Sequence, residues 1–379
     1  MFISRRKLFK RVGTVAVVGS LVESSGGKSL VAGVLAPNPG VSLIRLDRNE
    51  NPYGPSEKVI AVLREMSTVS NRYPRAEYGS LIAKIAALHG VNPERVALGC
   101  GSSEILRSAV SVFLGPGKKL VQALPTFPAP GTFAHRVGAE VSDVHINKTF
   151  AHDLGAMLAQ AGDSAGVVYI CNPHNPTGSL TPRKDIENFV NELSPKTIVL
   201  IDEAYHHFVS PNKSYESFLD RPIDNPRVMV VRTFSKVYGL AGARVGYVVA
   251  APDIIRRLSA ELLEFGVSVV SAIAAMAAID DSEYVRVAVE RNADDRQEFM
   301  NQANVRMLRA LDSHTNFVLM NPMRPPGQVI GHLKKHNISV APIIPAMDKY
   351  IRISLGTPAD MRKFWNAWDL MGTTGQMAM

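Results

Sequence analysis

One lysine, Lys236, stands in the run Thr233-Phe-Ser-Lys236-Val-Tyr-Gly239-Leu-Ala-Gly242-Ala-Arg244-Val-Gly246-Tyr247, among hydroxyls and glycines that lead to an arginine. A lysine amine that loses its proton is a nucleophile and forms an imine with an aldehyde. Thr233, Ser235 and Arg244 can hold a phosphate dianion, the arginine through a forked charge-assisted pair. Gly239, Gly242 and Gly246 let backbone approach closely or take positive φ. Together these residues are equipment for an imine on a phosphorylated aldehyde. The β-branched run Val228–Arg232 before them predicts a buried strand, which puts Lys236 in the loop at that strand's carboxyl end, where ligands gather in open α/β sheets. A second phosphate element is Gly99-Cys-Gly-Ser-Ser-Glu104. It follows Val96-Ala-Leu98 and opens a helical stretch, so the amides of Ser102 and Ser103 point outward at the positive helix end. Asp202 closes the strand-like run Thr197–Ile201.

These segments, in this order, resemble the pyridoxal-phosphate-dependent aminotransferases of fold type I, most closely their histidinol-phosphate aminotransferase branch. The resemblance runs from about Leu46 to Thr357. It also rests on Asn49-Glu-Asn-Pro-Tyr-Gly54, Arg72-Tyr-Pro74, Pro125-Thr-Phe127, Asn172-Pro-His-Asn-Pro-Thr-Gly178, Asp202-Glu-Ala-Tyr205, Thr315-Asn-Phe317 and Arg352-Ile-Ser-Leu-Gly-Thr357. It implies pyridoxal 5'-phosphate as cofactor, joined to Lys236, which then moves the substrate Cα proton. It implies that Asp202 pairs with the pyridine nitrogen, that Asn175 and Tyr205 hydrogen-bond the ring hydroxyl, and that Phe127 stacks on the ring. Tyr73 is implied to reach the cofactor phosphate from a partner subunit, making a homodimer with a shared site. Arg352 is implied to grip a substrate carboxylate or phosphate, with Asn316 supporting it. Taken singly, Asp202 also reads as a helix cap, Asn175-Pro176 as a turn and Phe127 as a core filler.

Two positions depart from the histidinol-phosphate branch. Ala341, in Ile338-Ser-Val-Ala-Pro342, stands where those enzymes usually carry a second arginine. A phosphate dianion is therefore expected to be held poorly, and a carboxylate-bearing amino donor to be preferred. His174 replaces a more usual asparagine and reads either as a titratable group near the substrate or as a solvent-facing loop histidine.

The alternation of Val167–Ile170, Thr197–Ile201 and Val228–Val231 with helical stretches implies an α/β fold with a mostly parallel sheet covered on both faces. The expected division is an N-terminal segment 37–67 joining a smaller α/β domain, a large cofactor-binding domain 68–270, and a small C-terminal domain 271–379. At 379 residues, 46% hydrophobic and 20% charged, the composition is ordinary for a globular protein. Most of the net charge of +8 comes from Arg5, Arg6, Lys7, Lys10, Arg11 and Lys28 against Glu23, so no nucleic-acid surface is indicated. Paired Arg5-Arg6 before the weakly apolar Val12–Val22 resembles a bacterial twin-arginine signal. Residues 1–36 are thus expected to direct export to the periplasm or medium, the other reading being an arm on a partner subunit. No stable membrane association is expected. Cys100 and Cys171 lack the spacing of a metal or redox pair and are expected as free, buried thiols, with no metal site. A decarboxylase or β-lyase of the same fold shares the whole cofactor set. A non-catalytic regulator is disfavoured because the chain has no room for a DNA-binding domain.

Overall fold

The computed structural model describes residues 43–211, 214–220 and 225–372. The proposed export segment lies outside them. Strand β1 (Ile44–Leu46) opens the described chain. The main sheet then takes β2 (Val96–Cys100), β3 (Lys119–Leu124), β4 (Glu140–His145), β5 (Ala165–Cys171), β6 (Ile198–Asp202), β7 (Val228–Thr233) and β8 (Val245–Val249). Their spatial order is β2-β8-β7-β6-β5-β3-β4. Only β8 runs against its neighbours, so the other six share one direction and present their carboxyl ends along one edge.

Sequence pattern explains why this sheet is central. Every residue of β7 and β8 is buried, as strands covered on both faces require. Alternate residues enter opposite cores. Val168, Ile170, Val199, Ile201, Val228 and Val230 pack with helices α1 (Arg75–His89) and Val269–Ile279. Val167, Tyr169, Leu200, Met229 and Val231 pack with α2 (Ser102–Phe113) and Pro252–Ser259. Gly90 closes α1 at φ +62° with its N–H on the carbonyls of Ala86 and Ala87.

Beyond the sheet, β9 (Arg309–Ala310), β10 (Phe317–Asn321), β11 (Ile338–Val340) and β12 (Ile351–Ser354) complete the strands. β10 lies between β9 and β12, while β11 pairs in parallel with β1. Phe299, Phe364, Trp365 and Trp368 fill a third core there. A charged helix spans Ser282–Val305. It stops there because Met307 turns to φ +55° and the chain enters β9. Pro326 starts helix Pro326–Lys335, proline being favoured in a first helical turn. Cys171 is buried and Cys100 half-buried, and both are free.

Candidate active site

The parallel strands deliver their following residues to one cavity of about 920 Å³. β2 leads to Ser102 and Ser103, β3 to Phe127, β5 to Asn175, β6 to Asp202 and Tyr205, and β7 to Thr233, Ser235 and Lys236; all line the cavity. Arg244, before β8, and Arg352, on β12, line it too.

At one end lies a cradle for an anion. Gly101 precedes α2 at φ +72°, with no side-chain cap on the helix. A Cβ on Gly101 would strike the Arg244 guanidinium, and one on Gly246 would strike the Ser102 amide nitrogen. Glycine at both positions lets the helix start, the arginine and the β7 loop converge. Arg244 itself sits at φ +56°, its carbonyl accepting from the Gly101 N–H at 3.0 Å. Its Nη1 reaches Ser235 Oγ at 3.5 Å and the Ala241 carbonyl at 2.9 Å. Thr233 Oγ1 donates to Ser235 Oγ at 2.9 Å and accepts from the Ser235 N–H. Hydroxyls, helix amides and one guanidinium form a donor set suited to a phosphate. Gly239 takes φ +68° and the backbone of Gly54 fills the place of a Cβ there, whereas Gly242 stands in open space.

Asp202 is buried, accepting from Tyr169 Oη at 3.0 Å and from the Ala204 N–H at 3.1 Å. Burial raises its carboxyl to about 6 against those two hydrogen bonds. A carboxylate so placed is best stabilised by a cationic partner, such as a protonated pyridine nitrogen. Cradle and carboxylate together fit pyridoxal phosphate.

Lys236 Nζ donates to the carbonyls of Arg48 and Asn49 at 3.2 and 3.0 Å and stands 5.4 Å from the Tyr205 ring centre. Burial, then the charge of Arg352, lowers its pKa to about 8. Tyr205 Oη accepts from Asn49 Nδ2 at 2.9 Å and from Asn175 Nδ2 at 3.5 Å, and its ring meets Phe317 edge-on. Burial raises the phenol's pKa, so it stays protonated at neutral pH. Arg352 Nη1 donates to Asn175 Oδ1 at 2.6 Å and Nη2 to the Asp47 carbonyl at 3.0 Å, leaving Nε without a partner.

Three predicted residues lie elsewhere. Asn316 does not line the cavity; its Nδ2 holds the carbonyls of Asn49 and Glu50. Tyr73 is 76% exposed, outside the cavity of its own chain, its ring 5.6 Å from that of Phe265. His174 is neither on the cavity wall nor in solvent: it is buried against His152, with Nδ1 2.8 Å from Thr177 Oγ1. Burial drives its pKa well down, so it is neutral. Ala341 does line the cavity.

No role for Asn49, Tyr169 or Arg48 was legible in the sequence. The signal for Asn49 was its place in the Asn49–Gly54 segment; it sits at φ +54°, which asparagine tolerates, and its amide is fixed by Ser354. Tyr169 is the one aromatic in its strand.

Residues 41–367 match the family described as aminotransferase class I and II. Histidinol-phosphate aminotransferase 2 of Carboxydothermus hydrogenoformans is 34% identical over 324 residues, covering 85% of this chain and 89% of that protein. Two solved structures superpose closely. A putative histidinol-phosphate aminotransferase from Erwinia carotovora has a TM-score of 0.84 at 30% identity, over 87% of this chain and 96% of that one. The Sinorhizobium meliloti histidinol-phosphate aminotransferase in complex with pyridoxal-5'-phosphate has a TM-score of 0.81 at 28% identity, over 92% and 98%. These relatives correct the expectation of export. The chain matches histidinol-phosphate aminotransferases over most of its length, and the periplasmic or secreted assignment drawn from Arg5-Arg6 is not retained. No helix among the described residues is long and apolar enough to cross a membrane.

Proposed function

Because the chain belongs to the class I and II aminotransferases and is a pyridoxal-phosphate-dependent enzyme acting on amino acids and 2-oxo acids, we propose that Lys236 carries the cofactor and moves the Cα proton. When bound, pyridoxal phosphate supplies an electron sink for the carbanion left at Cα. Ser102, Ser103, Thr233, Ser235 and Arg244 hold its phosphate, and Asp202 its ring nitrogen. Asn175 and Tyr205 hold the ring hydroxyl, and Phe127 covers a face. Arg352, which lines the cavity with its Nη1 steadied by Asn175 and its Nη2 by the Asp47 carbonyl, takes the substrate carboxylate.

The observation that carries this reading is that Lys236, its pKa lowered to about 8, shares one cavity with the buried Asp202 and with Arg352. Nearer neutrality, more of the amine is unprotonated and able to take a proton. Asn316 acts one step removed, by fixing the Asn49 and Glu50 carbonyls that border Lys236. The β1–β11 pairing supports reading 37–67 as joined to a small domain 271–379, beside a large domain 68–270. A homodimer in which Tyr73 completes the partner's phosphate cradle accounts for a tyrosine left 76% exposed beside Phe265.

Borohydride reduction of the holoenzyme followed by peptide mass mapping tests the assignment. The pyridoxyl adduct is expected on Lys236, and an adduct on another lysine overturns it.

A further inference from the structure

The lost arginine at position 341 leaves a question of charge. A substrate with a phosphate, or with a second carboxylate, brings more negative charge than Arg352 alone neutralises. Arg45, Arg48, Arg244 and Arg352 are the arginines lining the described cavity. Arg45 is paired with Glu50, and Arg244 is held by Ser235 and Ala241 in the anion cradle. Arg48 is different. Its only ion pair among the described residues is a loose one, Nε 3.8 Å from Asp47 Oδ2, and its side chain is 78% exposed.

Backbone geometry fixes where Arg48 stands. The Asp47 carbonyl accepts from Arg352 Nη2 at 3.0 Å, and the Arg48 and Asn49 carbonyls accept from Lys236 Nζ at 3.2 and 3.0 Å. Three consecutive residues are thus tied to the anion anchor on one side and to the reacting amine on the other. Arg48 projects from the middle of this tether. Burial is the main cause that depresses the Arg352 guanidinium's proton affinity, and the Arg48 charge adds a smaller push in the same direction; two cations that repel in the free protein are both relieved by an anion between them.

We propose that Arg48 is a specificity-determining residue, the second cation of the substrate site, which joins Arg352 on substrates carrying a doubly charged anion or a second anionic group. It takes over from a different segment the role of second cation expected of position 341. Its reach is across open solvent, which makes its contribution one of ground-state binding rather than of the chemical step. This rests on the reading of Arg352 as the carboxylate anchor.

The test uses the holoenzyme and three unreactive probes: butyrate, glutarate and propyl phosphate, each titrated against the cofactor's visible absorption. Wild type is compared with Arg48→Met and Arg48→Lys; the exposed side chain leaves packing unchanged and the backbone carbonyl in place. Arg48→Met is expected to weaken glutarate, propyl phosphate or both by about tenfold, the loss of one good charge-assisted contact, with butyrate within about twofold. Arg48→Lys is expected to keep most of the affinity. Loss for glutarate alone identifies a distal-carboxylate site, and loss for propyl phosphate alone a phosphate site. Equal weakening of all three probes overturns the proposal, since it means that Arg48 acts through its backbone on Lys236. No weakening of any probe overturns it too. Failure of the underlying reading looks different: butyrate would not bind the wild type.

Discussion

Lys236 is held where a charged amine is disfavoured, and that has a measurable consequence for stability. Burial, with Arg352 nearby, lowers its pKa from 10.5 to about 8. Below about pH 8 the amine is protonated in both folded and unfolded chains, so the folded state bears the whole cost of the buried charge. Between 8 and 10.5 the unfolded chain binds a proton that the folded chain has lost, and stability rises with pH. Each tenfold loss of proton affinity corresponds to about 1.4 kcal/mol, which makes the full cost about 3 kcal/mol. The amine faces an open cavity and is only partly covered, so solvent screening leaves about 1–2 kcal/mol. Lys236→Met in cofactor-free protein removes the titrating group, and urea unfolding across this pH range compares it with wild type. The methionine variant forfeits two hydrogen bonds to the Arg48 and Asn49 carbonyls, but that cost does not vary with pH. Relative to the variant, wild type is therefore expected to gain about 1–2 kcal/mol between about pH 7.5 and pH 10.5. A stability difference that stays flat over that range refutes the depressed lysine.

Asp202→Asn is expected to cut kcat by far more than it weakens cofactor binding, because the carboxylate chiefly keeps the ring nitrogen protonated; unchanged kcat argues against that role. Arg352→Met is expected to raise KM for monocarboxylate amino acids by about tenfold or more through loss of the forked contact, and steady-state kinetics with unchanged KM would remove it from the substrate site. Lys236→Ala and Tyr73→Ala chains, each inactive alone, are expected to regain about a quarter of wild-type activity when mixed and re-associated, because half the dimers then hold one intact shared site. No recovery in mixtures shown to exchange subunits rejects the shared site.

Much of the chemistry was legible from the chain because it depends on short-range order. A buried strand followed at once by hydroxyls, lysine and glycines puts Lys236 at a sheet's carboxyl edge, and Asp202 ends a neighbouring strand for the same reason. The alternation of apolar strands with helices likewise determined a sheet covered on both faces. Three kinds of information came only with the tertiary structure. Contacts between distant segments are one: the Lys236 amine meets a carbonyl 188 residues away in the chain, and Arg352 holds an asparagine 177 residues away. No periodicity spans such separations. The second is burial, which took His174 out of both sequence readings and moved the lysine's pKa toward neutrality, since desolvation depends on everything packed around a group. The third is the side chain left loosely partnered. Nothing in the sequence marked Arg48, and only the folded chain sets its segment between the Lys236 amine and Arg352.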